Sequence, residues 1–201
     1  MTRIWLIRHG EPAEQVKDRC YGSLDIGLSD KGRHQMAEAA QHLKAESASV
    51  IYTSPSARAL ESARILTTTQ SCPLETAADF REINFGAFEG LTYDEVAARY
   101  PNLYRQWMET PTEIRCPNGE NFKEMQTRVL RAFETILRER EGQTVMIVSH
   151  GGVNRILIAW ILQMPAASIF CLAQDYAAVN LISFTGGTPC LQLLNYRAPF
   201  L

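Results

Sequence analysis

The sequence predicts an α/β fold. Apolar runs of strand length alternate along the chain with segments whose apolar residues recur at helical spacing. Two of these runs, Ile4-Trp5-Leu6-Ile7 and Val145-Met146-Ile147-Val148-Ser149, lead into Arg8-His9-Gly10 and His150-Gly151. In an open parallel sheet the ligand crevice lies beyond the carboxyl ends of the strands, so two such strands bring both imidazoles to one edge. The glycine after each histidine lets the backbone approach a ligand or turn sharply into a helix.

Strand-like runs fall at about 3–8, 50–53, 144–149, 178–184 and 190–194. After Ser29, a suitable N-cap, Asp30 to Lys44 places Met36, Ala39, Ala40 and Leu43 on one helical face. Ser54-Pro55 reads as an N-cap followed by proline at the first helical position, with Ala57, Leu60, Ala63, Ile65 and Leu66 continuing the helix and Arg58 near its start. Thr92 to Met108 holds two short helical patterns separated by Pro101, and Thr110 to Gly119 is a loop. Glu120 to Glu141 is a long helix that turns Phe122, Met125, Val129, Phe133, Ile136 and Leu137 inward. With neither a repeat nor a low-complexity linker, residues 1–201 read as a single domain.

Composition narrows the function. Hydrophobic residues at 46% and charged residues at 21% are those of a globular protein and exclude a disordered or collagen-like chain. A net charge of −2, from 20 Lys and Arg against 22 Asp and Glu, supplies no global field for a polyanion, so no nucleic-acid partner is expected. Five scattered cysteines without a C-x-x-C pair argue against a zinc ribbon, a redox motif or a disulfide framework and suit free thiols in a reducing compartment. Met1-Thr2-Arg3 enters a strand directly, without a signal-peptide pattern, and the apolar stretch Val153 to Leu162 is broken by Asn154 and Arg155. No membrane partner is expected, and a cytoplasmic location is. No residue pattern identifies an interface, and a homodimer stays open on general grounds.

The chemistry available is that of phosphoryl transfer. A neutral imidazole is a competent nucleophile toward phosphorus, and the phosphoryl–nitrogen bond it forms can later be cleaved by water. His9 is the candidate. Charge on the transferring phosphoryl needs positioned cations and donors, for which Arg8, Arg58 and His150 are available, and Gly151 can add a backbone N–H at a helix start. The arginine fork gives two parallel bonds to a phosphate and stays charged. The leaving alkoxide needs a proton, and a carboxyl group beside a phosphate dianion is favoured in its protonated form. Glu82, in Phe80-Arg81-Glu82-Ile83-Asn84-Phe85-Gly86, is the candidate acid.

Several blocks recur in a fixed order: Leu6-Ile7-Arg8-His9-Gly10-Glu11; Gly22, Asp25, Leu28-Ser29 and Gly32; Tyr52-Thr53-Ser54-Pro55 with Arg58-Ala59; Arg81 to Gly86 with Glu89-Gly90; Pro117-Asn118-Gly119-Glu120; and Val148-Ser149-His150-Gly151-Gly152-Val153. With these the chain resembles the histidine phosphatase superfamily, the phosphoglycerate mutase-like group. The resemblance implies a three-layer α/β/α sandwich with a mostly parallel central sheet and a small helical cover region at about 90–120. It also implies phosphorylation of His9 in turnover, phosphate binding by Arg8, Arg58 and His150, proton donation by Glu82, and neither metal nor other cofactor. Pro12 and Gln15 stand where the family often has threonine and asparagine; Gln15 keeps a donor for the phosphate on a longer stem. Cys20-Tyr21-Gly22 shifts the usual aromatic by one place. The short segment from Glu82 to His150 favours hydrolysis over the phosphoryl return of a mutase. Length, the Pro117-Asn118-Gly119-Glu120 segment and Asn195-Tyr196-Arg197-Ala198 look most similar to the α-ribazole phosphatases of cobalamin nucleotide-loop assembly.

The plainer readings differ in weight. A lone His9 or His150 would be read as a satisfied core residue, but their matched strand-end settings reverse that. Arg58 could pair with Glu61 one turn on, a contact of a few tenths of a kcal/mol. Glu89 is read as a hydrogen-bond acceptor for a loop backbone rather than a second acid, Glu11 as ordering a loop or touching the leaving group, and His34 and His42 as surface residues. Trp5, Trp107 and Trp160 are read as packing residues, with Trp107 or Tyr104 able to stack on a substrate ring. The expected partner is a small phosphomonoester. A broad-specificity phosphatase, a phosphoglycerate mutase and a weakly catalytic phosphate-binding module stay as alternatives, while a metallohydrolase lacks ligand spacing such as H-E-x-x-H.

Overall fold

The structure, a computed structural model, describes residues 1–198. In chain order it contains β1 (Thr2–Arg8), α1 (Asp30–His42), β2 (Val50–Thr53), α2 (Ala57–Leu66), β3 (Leu74–Thr76), α3 (Tyr93–Arg99), α4 (Pro101–Glu109), α5 (Phe122–Glu139), β4 (Thr144–Ser149), α6 (Gly151–Ile161), β5 (Val179–Thr185) and β6 (Thr188–Tyr196). The strands form one sheet in the order β3-β2-β4-β1-β5-β6. The first four in that order are parallel; β5 pairs antiparallel with the other edge of β1, and β6 pairs antiparallel with β5. In the parallel pair β1–β4, Arg8 lies opposite Ser149, so His9 and His150 leave the sheet side by side.

Alternation along β1 divides the core. Ile4 and Leu6 face a cluster built with Phe133, Val153 and Leu157 of α5 and α6, whereas Trp5 and Ile7 face Met36, Ala39, Ala59 and Ala63 of α1 and α2. Helices on both faces make the three layers. Burying a single Ile or Leu at this depth contributes about 2 kcal/mol, which is why the central strands read as uninterrupted apolar runs. A third, smaller cluster, Cys20, Phe88, Val96 and Cys116, lies under α3 and α4.

Most local signals act where the sequence places them. Ser29 caps α1 by accepting from Gly32 N–H at 2.9 Å, and the helix ends at His42 rather than Lys44. Pro101 separates α3 from α4 as the first residue of the latter. A capping box of Asn121 and Glu124 opens α5 at Phe122. The expected cap of α2 is corrected: Ser56, not Ser54, precedes it, and Pro55 lies outside the helix. The Ser54 hydroxyl is engaged elsewhere, and Asp25 Oδ1 accepts from Ala57 N–H at 2.7 Å instead. The three-residue strand β3 was not expected.

Candidate active site

His9 and His150 come within 5.1 Å, centroid to centroid, at the carboxyl ends of β1 and β4. Both are buried, His9 with 2% of its surface exposed and His150 with none. His9 Nδ1 lies 2.7 Å from its neighbour's carbonyl, Gly10 O, to which it must donate. Nε2 therefore carries the lone pair, and Arg58 Nε donates to it at 3.3 Å. Burial, then the charges of Arg58 and Arg8, hold the His9 pKa well below its usual value. The ring is neutral at neutral pH, with the Nε2 lone pair facing the cations. His150 is held down in the same way, by burial first and then by Arg58.

Arg58 is fully buried at the start of α2, and no carboxylate holds it: Nη1 donates to Leu24 O at 2.8 Å and Nη2 to Gly22 O at 2.7 Å. The surface pairing with Glu61 does not form, because Glu61 Oε1 accepts from Arg33. Arg8 donates to Gln174 O and lies 4.0 Å from the centre of the Tyr176 ring. Arg8 Nε and His150 Nδ1 are buried without a hydrogen-bond partner, and His150 Nε2 lies 2.8 Å from Ser54 Oγ. A buried unpaired polar atom costs about 1–3 kcal/mol, so two of them beside His9 and Arg58 suit a place for an anion.

Glu82 closes the site from the other side. Its Oε2 accepts from Gly152 N–H at 3.0 Å and its Oε1 from Ile83 N–H at 3.1 Å. Position 152 leaves room for the Glu82 carboxylate: a Cβ there would lie 2.4 Å from Glu82 Oε1 and displace it. A cavity of about 290 Å³ opens beside these groups, with Arg8, His9, Arg58, Glu82 and Gly152 at one end and Tyr93, Trp107, Pro111, Ile114 and Phe170 among its other walls. Trp107 packs 5.5 Å from Phe85 and 5.6 Å from Tyr93.

Several expected placements are corrected. Gln15 does not reach the cavity: the short 3-10 turn Glu14–Val16 buries Val16 and turns Gln15 to solvent. Gly151 does not line it either, since Arg8 and Arg155 cover it, and the lining N-terminal residue of α6 is Gly152. Tyr104 packs in the cluster under α4 and leaves Trp107 as the stacking surface. Trp160 packs as expected, edge to face on the core residue Phe133 with ring centroids 6.0 Å apart, though it is 37% exposed. Glu11 binds Lys31 Nζ at 2.7 Å and, through its backbone carbonyl, Ser29, which orders its loop. Glu89 accepts from the backbone N–H groups of Ser23 and Phe85 at 2.8 and 2.9 Å. Arg155 was missed. It lines the cavity one turn into α6, held by Leu172 O at 2.8 Å, and had registered only as a break in an apolar run.

Residues 4–197 match the histidine phosphatase superfamily, branch 1. The chain belongs to that superfamily. Among curated members, it is 32% identical over 198 residues to the bifunctional protein Rv2228c of Mycobacterium tuberculosis, covering 96% of this chain and 54% of that one. It is 30% identical over 184 residues to phosphoserine phosphatase 1 of Hydrogenobacter thermophilus, covering 90% and 86%. The chain spans about half the length of the first curated relatives it matches. The α-ribazole phosphatase of Shigella flexneri superposes with a TM-score of 0.91 at 28% identity, covering 99% of this chain and 98% of that one. The superfamily's phosphoglycerate mutase-like fold is thus the fold of this chain. Among the described residues, no three or more His, Cys, Asp or Glu side chains are arranged to hold a metal ion, and no helix is long and apolar enough to cross a membrane.

Proposed function

We propose that the protein hydrolyses phosphomonoesters through a phosphohistidine on His9, and that its substrate is α-ribazole 5′-phosphate. The observation that carries the chemistry is the state of His9: neutral, with Nδ1 committed to Gly10 O and Nε2 presented beside Arg58 and Arg8. Nε2 attacks phosphorus, the bond to the leaving oxygen breaks, and the Glu82 carboxyl gives that oxygen its proton. Water then attacks the phosphohistidine, the Glu82 carboxylate takes its proton, the P–N bond breaks, and inorganic phosphate leaves. Arg8, Arg58 and a His150 protonated under the dianion's charge stabilise the phosphoryl oxygens in both steps.

The substrate reading rests on the walls of the cavity and on the Shigella flexneri likeness. A ribose phosphate bearing a flat bicyclic base would set its phosphate at His9 and its base against Trp107 and Tyr93. A broad-specificity phosphatase is the second reading, favoured by relatives of similar identity named for chemically different substrates: phosphoserine in Hydrogenobacter thermophilus and 2-carboxy-D-arabinitol 1-phosphate in Triticum aestivum. Free cysteines at all five positions suit a cytoplasmic setting.

The test is phosphate release in excess chelator from α-ribazole 5′-phosphate, 3-phosphoglycerate, phosphoserine and a sugar phosphate, with His9→Ala as control. A preference of about a hundredfold in kcat/KM for the first, about 2.7 kcal/mol, supports the cobalamin assignment. Similar rates on all four replace it with the second reading, and conversion of 3-phosphoglycerate to its isomer without phosphate release would establish a mutase.

A further inference from the structure

The segment Pro117-Asn118-Gly119-Glu120 has no part in the reaction above, yet it leads directly to the candidate acid. Glu120 accepts from Arg128 of α5 through both carboxylate oxygens, Nε to Oε1 and Nη2 to Oε2, each at 2.7 Å. Arg128 spends its other donors on backbone carbonyls of the segment carrying Glu82. Nη1 donates to Asp79 O at 2.6 Å and Arg81 O at 2.7 Å, and Nη2 to Glu82 O at 3.2 Å. A guanidinium has five N–H groups, and every one here has a partner. The two side chains are only 13% and 17% exposed, so this is not a solvent-screened surface pair.

The backbones reinforce the pair. Glu120 N–H donates to Asn84 O at 2.9 Å. Gly86, at φ +53°, and Gly119 let residues 84–86 and 117–119 touch main chain to main chain. A Cβ at Gly86 would lie 2.2 Å from Pro117 O, and one at Gly119 would lie 2.6 Å from Asn84 O. The main chain of Glu82 is thus fixed by α5, while its carboxylate is fixed by the first turn of α6.

We propose that Glu120 and Arg128 are positioning residues for the Glu82 carboxyl, setting where its proton meets the leaving oxygen. The proposal rests on Glu82 being the acid. It also separates from a role in general stability, because proton delivery matters to an alkoxide leaving group and hardly at all to a nitrophenolate, which departs as a stable anion.

The experiment compares wild type, Glu82→Gln, Glu120→Gln and Arg128→Lys on the best alkyl phosphate and on p-nitrophenyl phosphate. The quantity is kcat/KM, which covers the steps through the first phosphoryl transfer, and near-UV circular dichroism checks the fold. Glu82→Gln should lose about 100-fold or more on the alkyl ester, and at least ten times less on the aryl ester. Glu120→Gln and Arg128→Lys should repeat that selectivity at about tenfold on the alkyl ester, as a misplaced rather than a missing acid would. Equal losses on the two esters, or no loss, in Glu120→Gln and Arg128→Lys, with Glu82→Gln still selective, would overturn the positioning role and leave Glu82 as the acid. Absence of selectivity in Glu82→Gln itself would remove the acid assignment and the positioning role together. Should Arg128→Lys fail to fold, the nearly isosteric Glu120→Gln carries the result.

Discussion

The polar end of the cavity, around His9, and the apolar end, around Trp107, are held by different means. At the polar end each group is delivered by a regular element: His9 and His150 by adjacent strands, Arg58 by α2, the Gly152 amide by α6. His9, His150 and Arg58 are buried and Gly152 is half-buried, while multiple hydrogen bonds tie Arg128 to Glu120 and to the main chain of Glu82. The apolar end rests on two short helices and a loop. Helix α4 buries no residue fully, Tyr93 is 45% exposed, and the aromatic rings meet one another rather than a sheet. On the proposed function, chemistry that tolerates little displacement would sit on the rigid scaffold, and a thin layer that can be repacked would select the ester.

His9→Ala should break that contrast most severely. Phosphate release should fall by about 10⁵-fold on every ester, as loss of a covalent nucleophile does, while binding at the apolar end, followed by quenching of Trp107 fluorescence with a substrate analogue, persists.

The second effect is on stability. Both histidines titrate in the folded protein below their unfolded value of 6.5. On acidification below 6.5 the unfolded chain takes up protons that the folded chain refuses, so the stability present above 6.5 is lost progressively as pH falls. Two such groups give a slope that approaches about 2.7 kcal/mol per pH unit, a hundredfold change in the folding constant, as the pH falls below 6.5. Urea denaturation at pH 7.5, 6.5 and 5.5 measures it, and His9→Ala should halve the slope.

Gly152→Ala sharpens the contrast within the polar end. The new methyl displaces the tip of Glu82, so kcat/KM on an alkyl ester should fall by about a hundredfold. Because the obstacle is a movable carboxylate, the thermal transition should shift by less than about 1 kcal/mol equivalent. Trp107→Ala, the smallest effect, should raise KM about tenfold for an aromatic ester and leave a small sugar phosphate unaffected. Equal effects on both would show that the apolar end is part of the scaffold after all.

The polar end was legible because its elements announce themselves. A strand of four apolar residues followed by Arg-His-Gly fixes where His9 must emerge, and the same grammar fixes His150. What escaped depends on which partner claims a group. Ser54 looks like a cap until His150 claims its hydroxyl, and Asp25 caps α2 from a distant loop. Gln15 looks available to phosphate until Val16 takes the inward position on a three-residue turn. Arg155 breaks an apolar run in sequence, yet one helical turn after His150 that break faces the cavity. Strand β3 spans three residues with little burial, too short for any period to show.

The central position of β1 has a consequence for how the molecule comes into being. Its neighbours, β4 and β5, lie at Thr144–Ser149 and Val179–Thr185, so both flanks of Ile4-Trp5-Leu6-Ile7 are supplied by residues translated far later. At ribosomal rates of about 5–20 residues per second, this strand waits on the order of ten seconds with both edges bare. Until that interval ends His9 has neither its partner imidazole nor its place in the sheet. A nascent chain therefore carries this apolar strand and His9 as dependents of the ribosome and of whatever shelters emerging polypeptides until β4 and β5 follow.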